Sequence, residues 1–133
     1  MLVRKGQITP MHFHWNKMED IINRGGGNLM IELWKAGADE QPVKGNFSVQ
    51  IDGVTRNVKA GEIIIITPGE SITIEPYVYH KFWAENKTSL IGEVSTINDD
   101  AKDNRFLEPL GRFPEILEDE PPFRLLCTEY PKN

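Results

Sequence analysis

Turn-forming residues interrupt this sequence so often that we expect only short segments of regular structure between them. The breaks lie at Gly25-Gly26-Gly27, Ala36-Gly37, Asp52-Gly53, Pro68-Gly69, Pro76 and Glu85-Asn86-Lys87. Several of the segments between them are rich in β-branched and aromatic residues, and no long helical pattern occurs before about residue 100. Short strands separated by turns at this frequency are typical of an all-β barrel or sandwich.

The strands can be placed approximately between these breaks. They are predicted near residues 8–15, 19–24, 28–35, 46–51, 54–59, 62–67, 71–75, 80–84 and 89–96. The clearest hairpin flanks Asp52-Gly53, because this dipeptide readily adopts the positive φ angles of a two-residue turn. Its position predicts antiparallel pairing between Phe47–Ile51 and Val54–Arg56.

The length of 133 residues fits one domain that buries its own core. After Thr96 the sequence becomes polar and then rich in proline. We therefore predict a single domain over residues 1–133, with a barrel over about 6–96 and an irregular tail over about 97–133 that wraps the barrel. Acidic pieces of that tail, such as Glu118-Asp119-Glu120, are expected to be solvated loop.

Charge and composition exclude two classes of partner. A formal net charge of −5 repels phosphate backbones, and no basic cluster offsets it, so we expect no nucleic-acid partner. The longest aliphatic run, Ile63–Ile66, is too short to cross a bilayer, so we expect no membrane partner. Cys127 is the single cysteine and cannot pair within the chain, which indicates a reducing, cytoplasmic location.

His12 and His14 lie two residues apart in a predicted strand, so their side chains emerge on one face and can hold one ion. Alone, such a pair is more often structural than metal-binding. Gly6 before the pair, and Glu19 and Gly26 after it, make the pattern more specific. The spacing G-x5-H-x-H-x4-E-x6-G resembles the first motif of the cupin superfamily.

The remaining histidine also falls on a motif position. His80 follows Gly69 by eleven residues, which is the separation in the second cupin motif, although Tyr77 stands where glycine is usual. The resemblance implies a cupin-type double-stranded β-helix, a jelly-roll barrel that binds a divalent metal. The implied metal ligands are His12, His14, Glu19 and His80.

Three neutral imidazoles and one carboxylate leave positive charge on a divalent ion and, in octahedral geometry, two adjacent open positions. Such ligands suit Mn²⁺, Fe²⁺, Co²⁺, Ni²⁺ or Zn²⁺. The alternative is a structural metal that only stabilises the barrel. Closed structural sites usually contain cysteine, however, and none of these four ligands is a cysteine.

A longer block of sequence is more specific than the ligand spacing. It runs from Met11 to Gly27 as MHFHWNKMEDIINRGGG and is joined by Gly92–Ser95, Asn98–Asp100 and Asp103–Phe106. These stretches resemble the D-lyxose isomerase family over nearly the whole chain. Members of that family carry an additional amino-terminal segment, so the chain is expected to be a shortened or a minimal version. An edge strand exposed in this way is a candidate for pairing in a homodimer.

The resemblance implies reversible interconversion of an aldose and a ketose, usually with Mn²⁺. Candidate pairs are D-lyxose with D-xylulose and D-mannose with D-fructose. Two open positions on the ion can chelate O1 and O2 of an open-chain sugar and stabilise the enediol that forms. A nearby base must then move a proton between C1 and C2.

Three residues are candidates for this proton transfer. Lys17, inside the first motif, is expected to act as an acid-base group or to stabilise an oxyanion, and a nearby dication would favour its neutral form. Without the resemblance, an exposed loop lysine would be the preferred interpretation. Glu93 is either a carboxylate base or a hydrogen-bond partner of a ligand histidine. Glu108 is the third candidate.

Two other functions fit the same fold. A cupin dioxygenase would use the metal to activate oxygen, and a non-catalytic cupin would bind a sugar without converting it. Among the aromatic residues, Trp83 is expected to contact the sugar because it is close to His80 in the sequence.

Overall fold

The residues that the structure describes fold into one antiparallel sheet of ten β-strands that curls into a cupin-type barrel. The computed structural model describes residues 1–96, 99, 102–110, 119–125 and 130–131. The strands are β1 (Leu2–Val3), β2 (His12–Phe13), β3 (Glu19–Ala36), β4 (Pro42–Val43), β5 (Asn46–Ile51), β6 (Val54–Lys59), β7 (Ile63–Ile66), β8 (Ser71–Ile74), β9 (Val78–Ser95) and β10 (Arg105–Phe106). The all-β prediction is confirmed. Among the described residues, no helix is long and apolar enough to span a membrane.

Two long strands, β3 and β9, organise the sheet. Each has 18 residues, and they pair with each other from one end to the other. Burial alternates along most of β3, so every second side chain faces the barrel interior. The fully buried aliphatic residues of the core include Leu29, Ile31, Leu33, Ile66 and Ile72. This core holds the two strands that carry Glu19, His80 and Glu93 of the candidate site.

The predicted turns at Gly25-Gly26-Gly27 and Glu85-Asn86-Lys87 are wrong, because β3 and β9 continue through both segments. The register between the strands shifts at this point, between Asn23 and Gly25 and again between Gly26 and Asn28. Such shifts are β-bulges, which bend a strand without ending it. Four predicted segments are therefore two continuous bent strands.

Gly26 allows this bend, and its replacement by alanine is expected to destabilise the barrel. Its φ is 102°, and an added Cβ would lie 2.2 Å from the backbone oxygen of Thr88, which cannot easily move. We expect Gly26→Ala to lower the free energy of unfolding by about 2–4 kcal/mol, measured by urea denaturation. Gly53→Ala is the control, because its φ of 74° is also positive but nothing lies within 4 Å of the added Cβ.

The control variant isolates the steric contribution. Gly53→Ala introduces backbone strain alone, for which we expect a loss of about 1–2 kcal/mol. Equal losses in the two variants would contradict the close approach of β3 and β9 at Gly26.

The predicted Asp52-Gly53 hairpin is confirmed. Asp52 and Gly53 both have positive φ angles, 48° and 74°, as a two-residue hairpin turn requires. The turn joins β5 to β6, with Ile51 opposite Val54. This local signal set the register as predicted.

The described part of the predicted irregular tail contains a short strand, β10. β10 pairs antiparallel with β2, with Phe106 opposite His12. β1, which lies before the predicted start of the barrel at residue 6, pairs with β9. Cys127 lies outside the described residues, so the cytoplasmic location stays a prediction, as do the domain boundaries.

Tyr77 occupies the position at which the second cupin motif usually has glycine. Its φ of 60° lies in the left-handed region that glycine favours. Its backbone N–H donates to the carbonyl of His14 at 3.0 Å, and its ring stacks on Phe13 with centroids 5.2 Å apart. These contacts offset a strain of about 1–2 kcal/mol and hold the turn that precedes His80.

Candidate active site

The three histidines and Glu19 converge inside the barrel. His12 on β2 lies opposite His80 on β9, and their ring centroids are 4.2 Å apart. His14 follows β2, with its ring 5.0 Å from that of His12. Glu19 begins β3, and its Oε1 lies 2.9 Å from Nε2 of His80 and 3.6 Å from Nε2 of His14. All four residues predicted as metal ligands are therefore neighbours.

Each imidazole places its Nδ1 against a backbone carbonyl oxygen. The pairs are His12 with Pro10 at 2.8 Å, His14 with Asp103 at 2.6 Å and His80 with Val78 at 3.0 Å. A carbonyl oxygen only accepts hydrogen bonds, so we assign the proton of each neutral ring to Nδ1. The lone pair of each Nε2 is then available to a metal, as in many metal-binding histidines.

Two of these Nε2 atoms lack a partner. Those of His14 and His80 are buried and have no hydrogen-bond partner in the described part of the chain. The nearby carboxylate of Glu19 is also an acceptor, so lone pairs face each other unless a cation or a proton lies between them. One coordinating atom from each of His12, His14 and His80 can be chosen so that all lie within 4.8 Å of one another. This arrangement fits a divalent cation.

The protonation states agree with metal binding. Burial, together with repulsion from His80, lowers the pKa of His12 to about 3. Burial disfavours the charge on Glu19, but interactions with His14, His80 and Lys17 outweigh it and hold the pKa of Glu19 below its usual range. The interactions with the two imidazoles require a proton on Nε2, at the place that a bound cation would otherwise take. A neutral imidazole and an ionised carboxylate are the forms that coordinate metals.

Lys17 links two carboxylates at the edge of the cluster. Its Nζ lies 2.7 Å from Oε2 of Glu19 and 2.8 Å from Oε1 of Glu93. Burial disfavours its ammonium form, but Glu19 and Glu93 outweigh burial and raise the pKa of Lys17 above its usual value. Lys17 is therefore a charged hydrogen-bond donor. A nearby dication would favour the neutral form of Lys17, but the two carboxylates favour the charged form.

A cavity of about 530 Å³ opens in front of the cluster. The histidines, Glu19, Lys17 and Glu93 line its polar part, and Phe82 and Phe106 are among its apolar lining residues. This volume is typical of pockets for small molecules. Acidic groups, a basic group and the candidate metal ligands thus meet at the wall of a pocket that a small polar molecule can enter.

Two residues singled out from the sequence lie elsewhere. Glu108 is exposed and is not among the described residues that line the cavity. Trp83 is also absent from the described lining, because side chains alternate along β9 and His80 shares its face with Phe82. Glu93 pairs with Lys17, whereas the sequence left open a pairing with a ligand histidine.

Known proteins with similar sequences identify the family of this chain. The profile of the family described as D-lyxose isomerase matches residues 1–130. The chain belongs to the D-lyxose isomerase family. It is 54% identical over 132 residues to the D-lyxose/D-mannose isomerase of Escherichia coli O157:H7. It is 52% identical over 132 residues to the D-lyxose/D-mannose isomerase of Serratia proteamaculans.

These alignments cover 98% of this chain but 58% of each relative. The chain therefore spans little more than half the length of the curated members of the D-lyxose isomerase family that it matches.

In this family member, two acidic residues near the site were not predicted. Asp103 accepts hydrogen bonds from the loop that contains Lys17, over a separation of 86 residues. Glu40 has a φ of 61° and accepts from the side chains of Trp15 and Arg105. Asp103 lies in a block of sequence that resembles the family, and this resemblance was the only feature of the sequence that pointed to it. No sequence pattern pointed to Glu40.

Proposed function

We propose that this chain catalyses the metal-dependent interconversion of an aldose and a ketose. The observation that carries the proposal is the pair of buried Nε2 atoms, of His14 and His80, that face Glu19 without a hydrogen-bond partner in the described chain. The names of the two relatives supply D-lyxose and D-mannose as the substrates. The ketoses that correspond to them by isomerisation between C1 and C2, D-xylulose and D-fructose, are the products we propose. Mn²⁺ is the metal we propose, from the family resemblance.

His12, His14, Glu19 and His80 would hold the ion. A bound divalent cation supplies Lewis-acid chemistry, because it polarises the carbonyl of an open-chain sugar and favours negative charge on its oxygens. The carbonyl groups of Pro10, Asp103 and Val78 keep each imidazole oriented through Nδ1. The ligands are thus positioned by the folded backbone.

Glu93 and Lys17 would move the proton. Conversion of an aldose to a ketose removes a proton from C2 and adds one to C1 through an enediol. We assign the base to Glu93, because its side chain is 38% exposed and lines the cavity. The Lys17 ammonium, 2.8 Å away, orients Glu93 and can donate to a sugar oxygen on which negative charge develops. The raised pKa of Lys17 supports a donor role over a role as the base.

A homodimer is also proposed. Leu2 on β1 and Leu90 on β9 are paired in the sheet, and both are exposed, which leaves apolar surface beside the first strand. Apolar surface next to a short strand favours association with a second subunit.

The proposed activity is tested with the purified chain and D-lyxose or D-mannose. We expect ketose to form with Mn²⁺, to stop forming after treatment with a chelator and to form again when Mn²⁺ is restored. Oxygen consumption with Fe²⁺ and no sugar would instead select a dioxygenase. Thermal stabilisation by sugar without ketose formation would select a non-catalytic binding protein.

A further inference from the structure

Asp103 contacts the loop between β2 and β3 through both oxygens of its carboxylate. Oδ1 accepts from the backbone N–H of Trp15 at 2.9 Å and from the backbone N–H of Asn16 at 3.0 Å. The side-chain amide of Asn16 also donates to Oδ1, at 3.2 Å. Oδ2 accepts from the backbone N–H of Lys17 at 2.9 Å. The carboxylate is thus bonded to three successive backbone N–H groups.

The main chain of the same residue contacts a candidate metal ligand. The carbonyl oxygen of Asp103 lies 2.6 Å from Nδ1 of His14, and 89 residues separate the two in the sequence. Asp103 is only 5% exposed, so both sets of hydrogen bonds are shielded from water. One residue of the tail therefore holds the ring of His14 and the backbone that carries Lys17.

The loop requires an acceptor with negative charge. Three N–H groups that point to one place leave unpaired donors if the carboxylate is removed, and each unpaired buried donor costs about 1–3 kcal/mol. Asparagine cannot replace the aspartate, because its NH₂ group would face at least one of these N–H donors. Hydrogen bonds to a charged acceptor are also stronger than those to a neutral one.

We propose that Asp103 is a positioning residue that sets His14 for metal binding and Lys17 for contact with substrate. The role rests on the proposed function, because it concerns the same site. Asp103 does not line the cavity among the described residues, so it acts through the two residues that do. A residue that only anchored the tail would affect the stability of the fold alone. Loss of Asp103 is expected to change the metal affinity of the site as well.

The test is Asp103→Asn, which removes the charge and keeps the side-chain size. Residues that hydrogen-bond to a metal ligand typically contribute about 10–100-fold to metal affinity. We therefore expect the dissociation constant for Mn²⁺ to rise by about that factor. Titration followed by electron paramagnetic resonance measures the affinity without turnover. At saturating Mn²⁺, displacement of Lys17 should still lower kcat for D-lyxose by about tenfold and change KM less.

Asp52→Asn is the matched control. The Asp52 carboxylate also accepts from a backbone N–H and from a hydroxyl, both of Ser71, at 2.8 and 3.1 Å, but it lies outside the cavity lining. We expect its Mn²⁺ affinity and kcat to equal those of the wild type. Asp103→Glu keeps the charge but displaces it by one methylene, so its Mn²⁺ affinity should fall between those of the wild type and Asp103→Asn. It serves as the test if Asp103→Asn does not fold.

Hydrogen exchange provides a second measurement. The amide protons of Trp15 and Lys17 should exchange faster in the Asp103 variants than in the wild type, even without metal. Unchanged Mn²⁺ affinity in folded Asp103→Asn, with only a lower melting temperature, would overturn the positioning role and leave the proposed function intact. A wild-type chain that binds no divalent cation would overturn both.

Discussion

Replacement of His80 by alanine is expected to remove the bound metal and to lower turnover of D-lyxose by about 10³–10⁴-fold. His80 contributes one of the two buried Nε2 atoms that have no hydrogen-bond partner among the described residues, and its ring contacts those of both other histidines. Lewis-acid stabilisation of developing charge is worth several kcal/mol, and each 1.36 kcal/mol corresponds to a tenfold change in rate. Metal content by elemental analysis and kcat by a coupled ketose assay measure the two effects.

Lys81→Ala is the control on the same strand. Its ammonium forms an ion pair with Glu32 at 2.7 Å, and it is not among the described residues that line the cavity. We expect this variant to retain both metal and turnover. Wild-type turnover in a His80→Ala protein that has lost its metal would disprove the metal-dependent mechanism.

The Glu93→Gln variant should keep its metal and lose about 10²–10⁴-fold in kcat, which is the usual contribution of a positioned base. The amide retains the size of the side chain and can still accept from Lys17, but it cannot take the proton from C2. Solvent deuterium incorporation into the sugar should fall with kcat, since both report proton transfer at carbon. Mn²⁺ affinity should not change, because Glu93 is not among the proposed ligands.

Glu85→Gln makes the same chemical change on the same strand, β9, outside the described lining of the cavity. It should have wild-type kinetics. Wild-type turnover in Glu93→Gln, together with loss of turnover in Lys17→Met, would transfer the role of base from Glu93 to Lys17.

Local signals explain what the sequence could predict. The hairpin at Asp52-Gly53 depends on two adjacent residues that tolerate positive φ, so the turn and the register follow from them. The histidine cluster was predictable because all three histidines of the chain stand at motif spacings, which leaves no alternative histidine to choose. Lys17 was predictable only through its position inside the first motif.

The rest of the fold and of the candidate site depends on contacts between distant residues, which no local sequence pattern encodes. Glycines at 25–27 and polar residues at 85–87 read as turns, yet the facing strands bulge there and continue. An acidic residue in a polar tail reads as solvated loop, and only the folded chain brings Asp103 to Lys17 across 86 residues. Glu108 is exposed and outside the described lining of the cavity, and its sequence neighbourhood does not indicate which way its side chain points.

The strand that carries His12 has only two residues, and it lies between β9 on one side and β10 on the other. So short a segment cannot hold its own geometry, and its position depends on both neighbours. Because those neighbours come much later in the chain, His12 is synthesised before both of them and is enclosed only after Phe106 has been synthesised. The candidate site therefore closes only when β2, β9 and β10 have all been made, because its histidines depend on pairing between distant segments.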